Sequence, residues 1–312
     1  MSMSMPTPSN AAEPAGLALA IRDAHLPLQI GRQRPLEDCH APDDEGLGWV
    51  ARAAIAAARS LGFIERDAAV VARAWQARAD RTGQVDPTVW PDEPADFGLA
   101  PWPRAAAFAP CPRALGLYAV LPNASHIAPL AQAGVPTLQL RFKSPDAAQV
   151  RAQVRQAVAA VRGTDARLFI NDHWQEAIEA GAYGVHLGQE DLDTADLAAI
   201  GAAGLRLGLS THGYAEMLRA DALSPSYIAM GAVYATTLKD MPTAPQGPTR
   251  LAVYARLLRN HSLVAIGGID EARLAQVLPS GVGSVAVVRA IVGAPDPAAA
   301  ARHLMQCMAA LR

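Results

Sequence analysis

From residue 115 onward, short apolar runs recur at regular spacing, and each is followed by a helical pattern. The runs are LYAVL (117–121), PTLQLRF (136–142), RLFIN (167–171), YGVHLG (183–188), LRLGLS (205–210), YIAMGAV (227–233), LVAIGG (263–268) and SVAVV (284–288). Runs this short and this apolar predict strands buried on both faces, and the stretches between them, such as 147–161, predict helices. Alternating strands and helices imply a parallel sheet, and eight such units imply a closed (β/α)8 barrel. A doubly wound open sheet is the alternative, and it usually has fewer strands. Upstream, WVARAAIAAARSLG (49–62) and DAAVVARAWQARAD (67–80) carry helical periodicity. The expected fold class is therefore α/β: a (β/α)8 TIM barrel preceded by a small, mostly helical N-terminal segment. The expected division is a disordered tail (1–16), a helical region (17–85), a linker dense in Pro and Trp (86–113) and the barrel (114–312). Repeated proline forbids a regular helix or central strand in the linker, whose tryptophans are expected to pack on a neighbouring surface.

Composition narrows the function. Of 312 residues, 51% are hydrophobic and 18% charged, enough for a large core and too apolar for wholesale disorder. The net charge of −2 and the lack of a Lys/Arg block argue against nucleic-acid binding. Three scattered cysteines, Cys39, Cys111 and Cys307, form no CxxC pair and suit a reducing cytoplasm. No signal peptide or membrane-spanning stretch is visible, so a cytoplasmic location with small-molecule substrates is expected. A homo-oligomer is compatible with this picture.

In a barrel the active site lies at the C-terminal ends of the strands. There the chain places its acids: Asn171 and Asp172 after the third strand, Glu190 and Asp191 after the fourth. Neighbouring strands lie about 4.8 Å apart, so Asp172 and Asp191 share one rim. Adjacent carboxylates repel unless one is protonated or a cation lies between them, and two carboxylates plus phosphate oxygens suit Mg2+. Helix capping by Asp172 and simple solvation of Asp191 are the bland alternatives.

In the second strand Gln139, Arg141 and Lys143 alternate with Leu140 and Phe142, so the three polar groups share a face. Inward-facing cations call for an anion, either a substrate phosphate or the acids of strand three. Gly267 and Gly268 end the seventh strand, and Val288 and Arg289 follow the eighth. The loops after these strands frequently bind phosphate in this fold, and glycine permits close approach of backbone N–H groups. The loop YATTLKDMPTAPQGPT (234–249) carries Thr236, Thr237 and Lys239 as further donors and is long enough to act as a lid. His186 reads as a core histidine. His212 opens a helix and is the available acid/base group.

At these residues the chain resembles the thiamine-phosphate synthase family. The matching stretches are QLRFK (139–143), FINDHW (169–174), GVHLGQEDL (184–192), LGLSTH (207–212), GAVYATTLK (231–239), AIGGI (265–269) and SVAVVRAI (284–291). The resemblance implies a barrel that joins hydroxymethylpyrimidine diphosphate to thiazole phosphate, giving thiamine phosphate and pyrophosphate with Mg2+ as cofactor. It implies that Gln139, Arg141 and Lys143 meet the pyrimidine diphosphate, with Leu140 and Phe142 carried as members of the same binding run. By the same resemblance Asn171 meets the pyrimidine, Asp172 and Asp191 hold Mg2+, and Ser210 and Lys239 contact the diphosphate side. Thr236, Gly268, Val288 and Arg289 shape the thiazole-phosphate site, the last two through backbone amides, and Thr237 and Gly267 are carried as further substrate-binding residues. Arg141, Lys143 and Lys239 are the implied catalytic cations. In the family a carbon–oxygen bond breaks first and the thiazole nitrogen traps the pyrimidine cation, so no strong base is required.

The family's loop reads PTxTK, whereas Ala235 and Leu238 here replace its proline and second threonine. The segment 47–75 also resembles the C-terminal helices of hydroxymethylpyrimidine-phosphate kinase. That family's GxGC anion hole is replaced by GLGW (46–49), so no kinase activity is expected. Two other functions compete: a thiazole tautomerase-like isomerase using His212, and a non-catalytic regulatory protein that binds thiamine phosphates.

Overall fold

The computed structural model describes residues 13–39, 41, 44, 46–236 and 243–311, and divides into two compact units, 1–100 and 101–312. The first unit is built on α1 (Glu13–Ala24), α2 (Trp49–Ser60) and α3 (Glu65–Thr82). The first helix begins inside the stretch expected as a tail: Pro14 fixes a helical φ in its first turn, and Ala18 and Ile21 become fully buried. Arg59 is buried between Asp44 and Glu65, at 2.5 and 2.6 Å, and also donates to the Cys39 carbonyl at 2.9 Å. The hydrogen bonds that Arg59 donates to Glu65 and Asp44 push the guanidinium further up, so it stays charged despite burial.

The Pro/Trp segment is divided between the units. Its first part closes the helical unit: Trp90 stacks on Phe63 at 5.7 Å and meets Trp75 edge-on at 6.4 Å, and Arg81 pairs with Asp96 through two 2.7 Å hydrogen bonds. Its second part belongs to the barrel unit. Arg104 binds Asp221 at 2.9 and 3.0 Å, and the Trp102 ring stands edge-on to His261. Phe108 N donates to the Ser224 carbonyl, while Ser226 and Ser262 donate to the carbonyls of Ala109 and Pro112. Ser226 and Ser262 immediately precede barrel strands, so this stretch lies against the face opposite the strands' C-terminal ends. Large apolar side chains give both parts something to bury, which an extended connector lacks.

The second unit is a closed barrel of eight parallel strands in sequential order. They are β1 (Gly116–Leu121), β2 (Thr137–Leu140), β3 (Arg167–Asn171), β4 (Gly184–Leu187), β5 (Arg206–Thr211), β6 (Tyr227–Met230), β7 (Leu263–Ile266) and β8 (Ser284–Val287). The helices are α4 (Ile127–Gln132), α5 (Ala147–Ala160), α6 (Trp174–Ala180), α7 (Leu197–Ala202), α8 (Tyr214–Ala222), α9 (Gly247–Leu257), α10 (Glu271–Val277), α11 (Arg289–Val292) and α12 (Pro297–Ala310). Each expected strand is present.

Tyr118, Val120, Phe169, Tyr227, Ala229, Val264 and Ala286 fill the interior. Glycine makes room for its aromatic rings. A Cβ on Gly208 would lie 2.1 Å from the Tyr227 ring, and one on Gly184 would lie 2.5 Å from Phe169. Among the described residues no helix is long and apolar enough to cross a membrane.

Candidate active site

A cavity of about 1360 Å3 opens at the C-terminal ends of the strands. Gln139, Arg141, Lys143, Asn171, Asp172, Asp191, Ser210, Thr236, Gly267, Gly268, Val288 and Arg289 all line it. Leu140 is buried and neither it nor Phe142 lines the cavity, because strand alternation turns them away from their polar neighbours. The side chains of these two members of the run therefore face away from the cavity. Thr237 and Lys239 lie outside the described residues.

β2 ends earlier than the run of residues 136–142 suggests. The β1 register stops at Leu121 opposite Leu140, and Arg141 N makes one more bond, 2.8 Å, to the Leu121 carbonyl. Arg141 and Lys143 thus stand on the loop beyond the strand. Among the described residues their cationic groups make no hydrogen bond or ion pair, although both act on Asp172 through space.

Asp172 has φ +64°, a left-handed conformation uncommon outside glycine, asparagine and aspartate. Its N–H donates to the His186 carbonyl and its carbonyl accepts from Trp174 N, so the turn out of β3 is held on both sides. Burial pushes its carboxyl up and the charge of Asp191 adds to that, while Lys143, His173 and Arg141 pull it down. Asp191 is positioned by the Gly188 N–H, which donates to its Oδ2 at 2.7 Å. Two acids thus compete for too little positive charge, which is the condition a bound divalent cation relieves. All-oxygen donors of this kind fit Mg2+.

Beneath the cavity runs a buried hydrogen-bond chain. Ser210 Oγ meets His186 Nε2 at 2.8 Å, His186 Nδ1 meets the Tyr227 hydroxyl at 2.6 Å, the Tyr227 and Tyr118 hydroxyls are 2.7 Å apart, and Gln139 Nε2 donates to Tyr118 at 3.1 Å. Burial raises both tyrosine hydroxyls above their ordinary range, so they serve as neutral donors and acceptors. The chain fixes the rotamers of Ser210 and Gln139 from below. His186 is therefore a satisfied core histidine, as its strand position suggests. Tyr118 and Tyr227 are not singled out by sequence, because an inward tyrosine on a strand reads as core, and only its buried hydroxyl signals that a partner exists.

The opposite rim is backbone. Gly267 and Gly268 have φ +105° and +62°, and a Cβ on Gly268 would lie 2.5 Å from the Ala235 carbonyl oxygen. Arg273 donates to the Gly268 carbonyl, and its guanidinium lies 4.5 Å from the Tyr234 ring. This arginine, unmarked in the sequence, ties the glycine turn to the start of the long loop. His212 also lines the cavity, with Nδ1 2.6 Å from Glu216.

A parallel (β/α)8 barrel with two cations, unpaired among the described residues, beside two acids at one mouth, and a glycine turn on the rim, is an architecture suited to phosphorylated ligands. The family model described as thiamine monophosphate synthase matches residues 118–291. The thiamine-phosphate synthase of Neisseria meningitidis is 54% identical over 192 residues, covering 62% of this chain and 94% of that protein. That of Serratia proteamaculans is 56% identical over 199 residues, covering 64% and 94%. The solved structure of thiamine phosphate pyrophosphorylase from Pyrococcus furiosus superposes with a TM-score of 0.56 at 26% identity, covering 63% of this chain and 96% of that one. The chain belongs to the thiamine monophosphate synthase family.

Proposed function

We propose that the barrel mouth makes thiamine phosphate by transferring a pyrimidinylmethyl group from its diphosphate to the thiazole nitrogen of a phosphorylated thiazole. Pyrophosphate leaves with the electrons of the broken carbon–oxygen bond, and the thiazole lone pair forms the new carbon–nitrogen bond. The observation that carries this reading is the meeting of Arg141 and Lys143, lacking partners among the described residues, with a half-buried Asp172 whose carboxyl is pushed up. Asp172 and Asp191 are the residues that would hold Mg2+. When bound, the ion neutralises charge on the departing pyrophosphate. Arg141 and Lys143 bind the same diphosphate and stabilise the charge that grows on it, a role Lys239 is proposed to share. Asn171 orients the pyrimidine, and Ser210 and Gln139, held by the buried chain, fix the reacting end. Thr236, the Gly267–Gly268 turn and the main chain at Val288 and Arg289 receive the thiazole phosphate. Two ligands held in reacting contact turn a bimolecular step into an effectively unimolecular one. The free thiols of Cys39, Cys111 and Cys307 support a reducing, cytoplasmic setting.

Incubation with both phosphorylated halves and Mg2+ is expected to release thiamine phosphate and pyrophosphate in equal amounts. Binding of both halves with no product would overturn the catalytic reading and leave a sensor of thiamine precursors.

A further inference from the structure

Away from the barrel mouth, three ligand-type side chains meet where α10 packs beside α12. Glu271 is the first residue of α10, while His303 and Cys307 stand four apart on α12 and so share one face. His303 Nε2 lies 3.0 Å from Glu271 Oε2. Cys307 Sγ lies 3.6 Å from that same nitrogen and 3.7 Å from Glu271 Oε1. One donor atom from each residue lies within 4.8 Å of the other two. None of the three takes part in the transfer reaction.

Two features set this cluster apart from an ordinary surface ion pair. Acid and thiol both approach the same imidazole nitrogen. In a nucleophilic cysteine site the orienting acid holds the other ring nitrogen, so the geometry excludes a triad and instead gathers three donor groups in one place. The spacings also fit a tetrahedral metal. Zinc bonds of about 2.3 Å to sulfur and about 2.0–2.2 Å to nitrogen or oxygen put sulfur about 3.6 Å from the other donors, and nitrogen about 3.4 Å from oxygen. The thiol-to-imidazole spacing of 3.6 Å already matches, whereas Glu271 reaches the thiol with Oε1 (3.7 Å) and the imidazole with Oε2 (3.0 Å), so its exposed carboxylate turns to present one oxygen to the ion.

We propose that Glu271, His303 and Cys307 bind one divalent transition metal ion, zinc by the chemistry of the donors. A thiolate with an imidazole selects zinc over Mg2+, which prefers oxygen. The side chains of Glu271 and His303 are 59% and 56% exposed, so the ion enters from solvent and a water completes its four ligands. The site begins one residue after Asp270, which lines the barrel mouth. A bound metal therefore clasps the start of α10 to α12 and steadies the glycine turn that precedes it. The chain would then respond to two metals: an oxygen-seeking ion at the mouth and a thiophilic ion on the outer wall.

The test is titration of the reduced, untagged, metal-free full chain with Co2+. One equivalent is expected to produce a thiolate-to-cobalt charge-transfer band and tetrahedral visible bands. One equivalent of Zn2+ should bleach them, and excess Mg2+ should not. Cys307→Ser should lose the charge-transfer band, and His303→Gln should bind cobalt roughly tenfold or more weakly. A wild-type chain with no such band, or a band unchanged in Cys307→Ser, would overturn the proposal. If Cys307→Ser does not fold, unchanged cobalt affinity in His303→Gln overturns it equally.

Discussion

Asp172 combines a left-handed backbone with a half-buried, repelled carboxyl, and each property makes a separate prediction. Asparagine tolerates φ near +60° whereas alanine pays about 1–2 kcal/mol there, so Asp172→Asn separates chemistry from strain. It should lower Mg2+-dependent turnover by about two orders of magnitude, as loss of charge stabilisation at a leaving group does. Without metal the same variant should melt higher than wild type. The folded-state carboxyl lies above its unfolded value, so its favourable contribution is complete below the unfolded pKa and disappears as pH rises through the folded one. At neutral pH a neutral amide relieves the repulsion, and a lower Tm in metal-free Asp172→Asn would contradict the account. Arg141→Ala should remove about 1.5–3 kcal/mol of diphosphate binding and leave thiazole-phosphate binding unchanged. Calorimetry showing equal losses for both ligands would refute the two subsites. These residues were legible in sequence because polar groups beyond an apolar strand have few structural reasons to be there. Tyr118 and Tyr227 were not, because they are partners 109 positions apart, which no local pattern encodes.

Strands are the most legible elements here, since burial on both faces leaves unbroken apolar runs. Their ends are less legible. PTLQLRF continues to alternate after Leu140, but β1 offers no further partner past Leu121, where Pro122 follows, so pairing stops while the pattern goes on. The small residues inside strands carry information that alternation hides. Gly208 faces the Tyr227 ring so closely that no side chain fits. Gly208→Ala should displace that ring, disturb the His186–Tyr227–Tyr118 chain, and destabilise the barrel by about 1–3 kcal/mol in denaturant unfolding. A change under about 0.5 kcal/mol, with turnover intact, would show that the ring has room to move.

On the scale of the molecule, residues 101–113 belong to the barrel although the motifs begin later. Asp221 is 3% exposed and is held by Arg104 and by His261 Nε2 at 2.6 Å. Burial works to raise its carboxyl, but these two partners overcome that and hold it below the usual carboxylate range. Its stabilisation is thus present above the unfolded pKa and lost as pH falls through the depressed folded one. A piece beginning at Pro101 should be more stable than one beginning at Leu115 by about 3–5 kcal/mol, the cost of stripping one partner from a buried charge. Equal stability of the two pieces would show that Arg104 is dispensable. Composition marked residues 86–113 as irregular, yet it did not reveal that Trp90 and Trp102 serve different units, because proline density sets local conformation and not the choice of partner. The most direct measurement is product formation by the metal-free full chain as Mg2+ is added back, for wild type and Asp172→Asn. Thiamine phosphate that rises with Mg2+ in wild type and stays near background in the variant is the predicted result. Equal, Mg2+-independent product from both would contradict the central claim that the acids at the barrel mouth hold the ion that lets pyrophosphate leave.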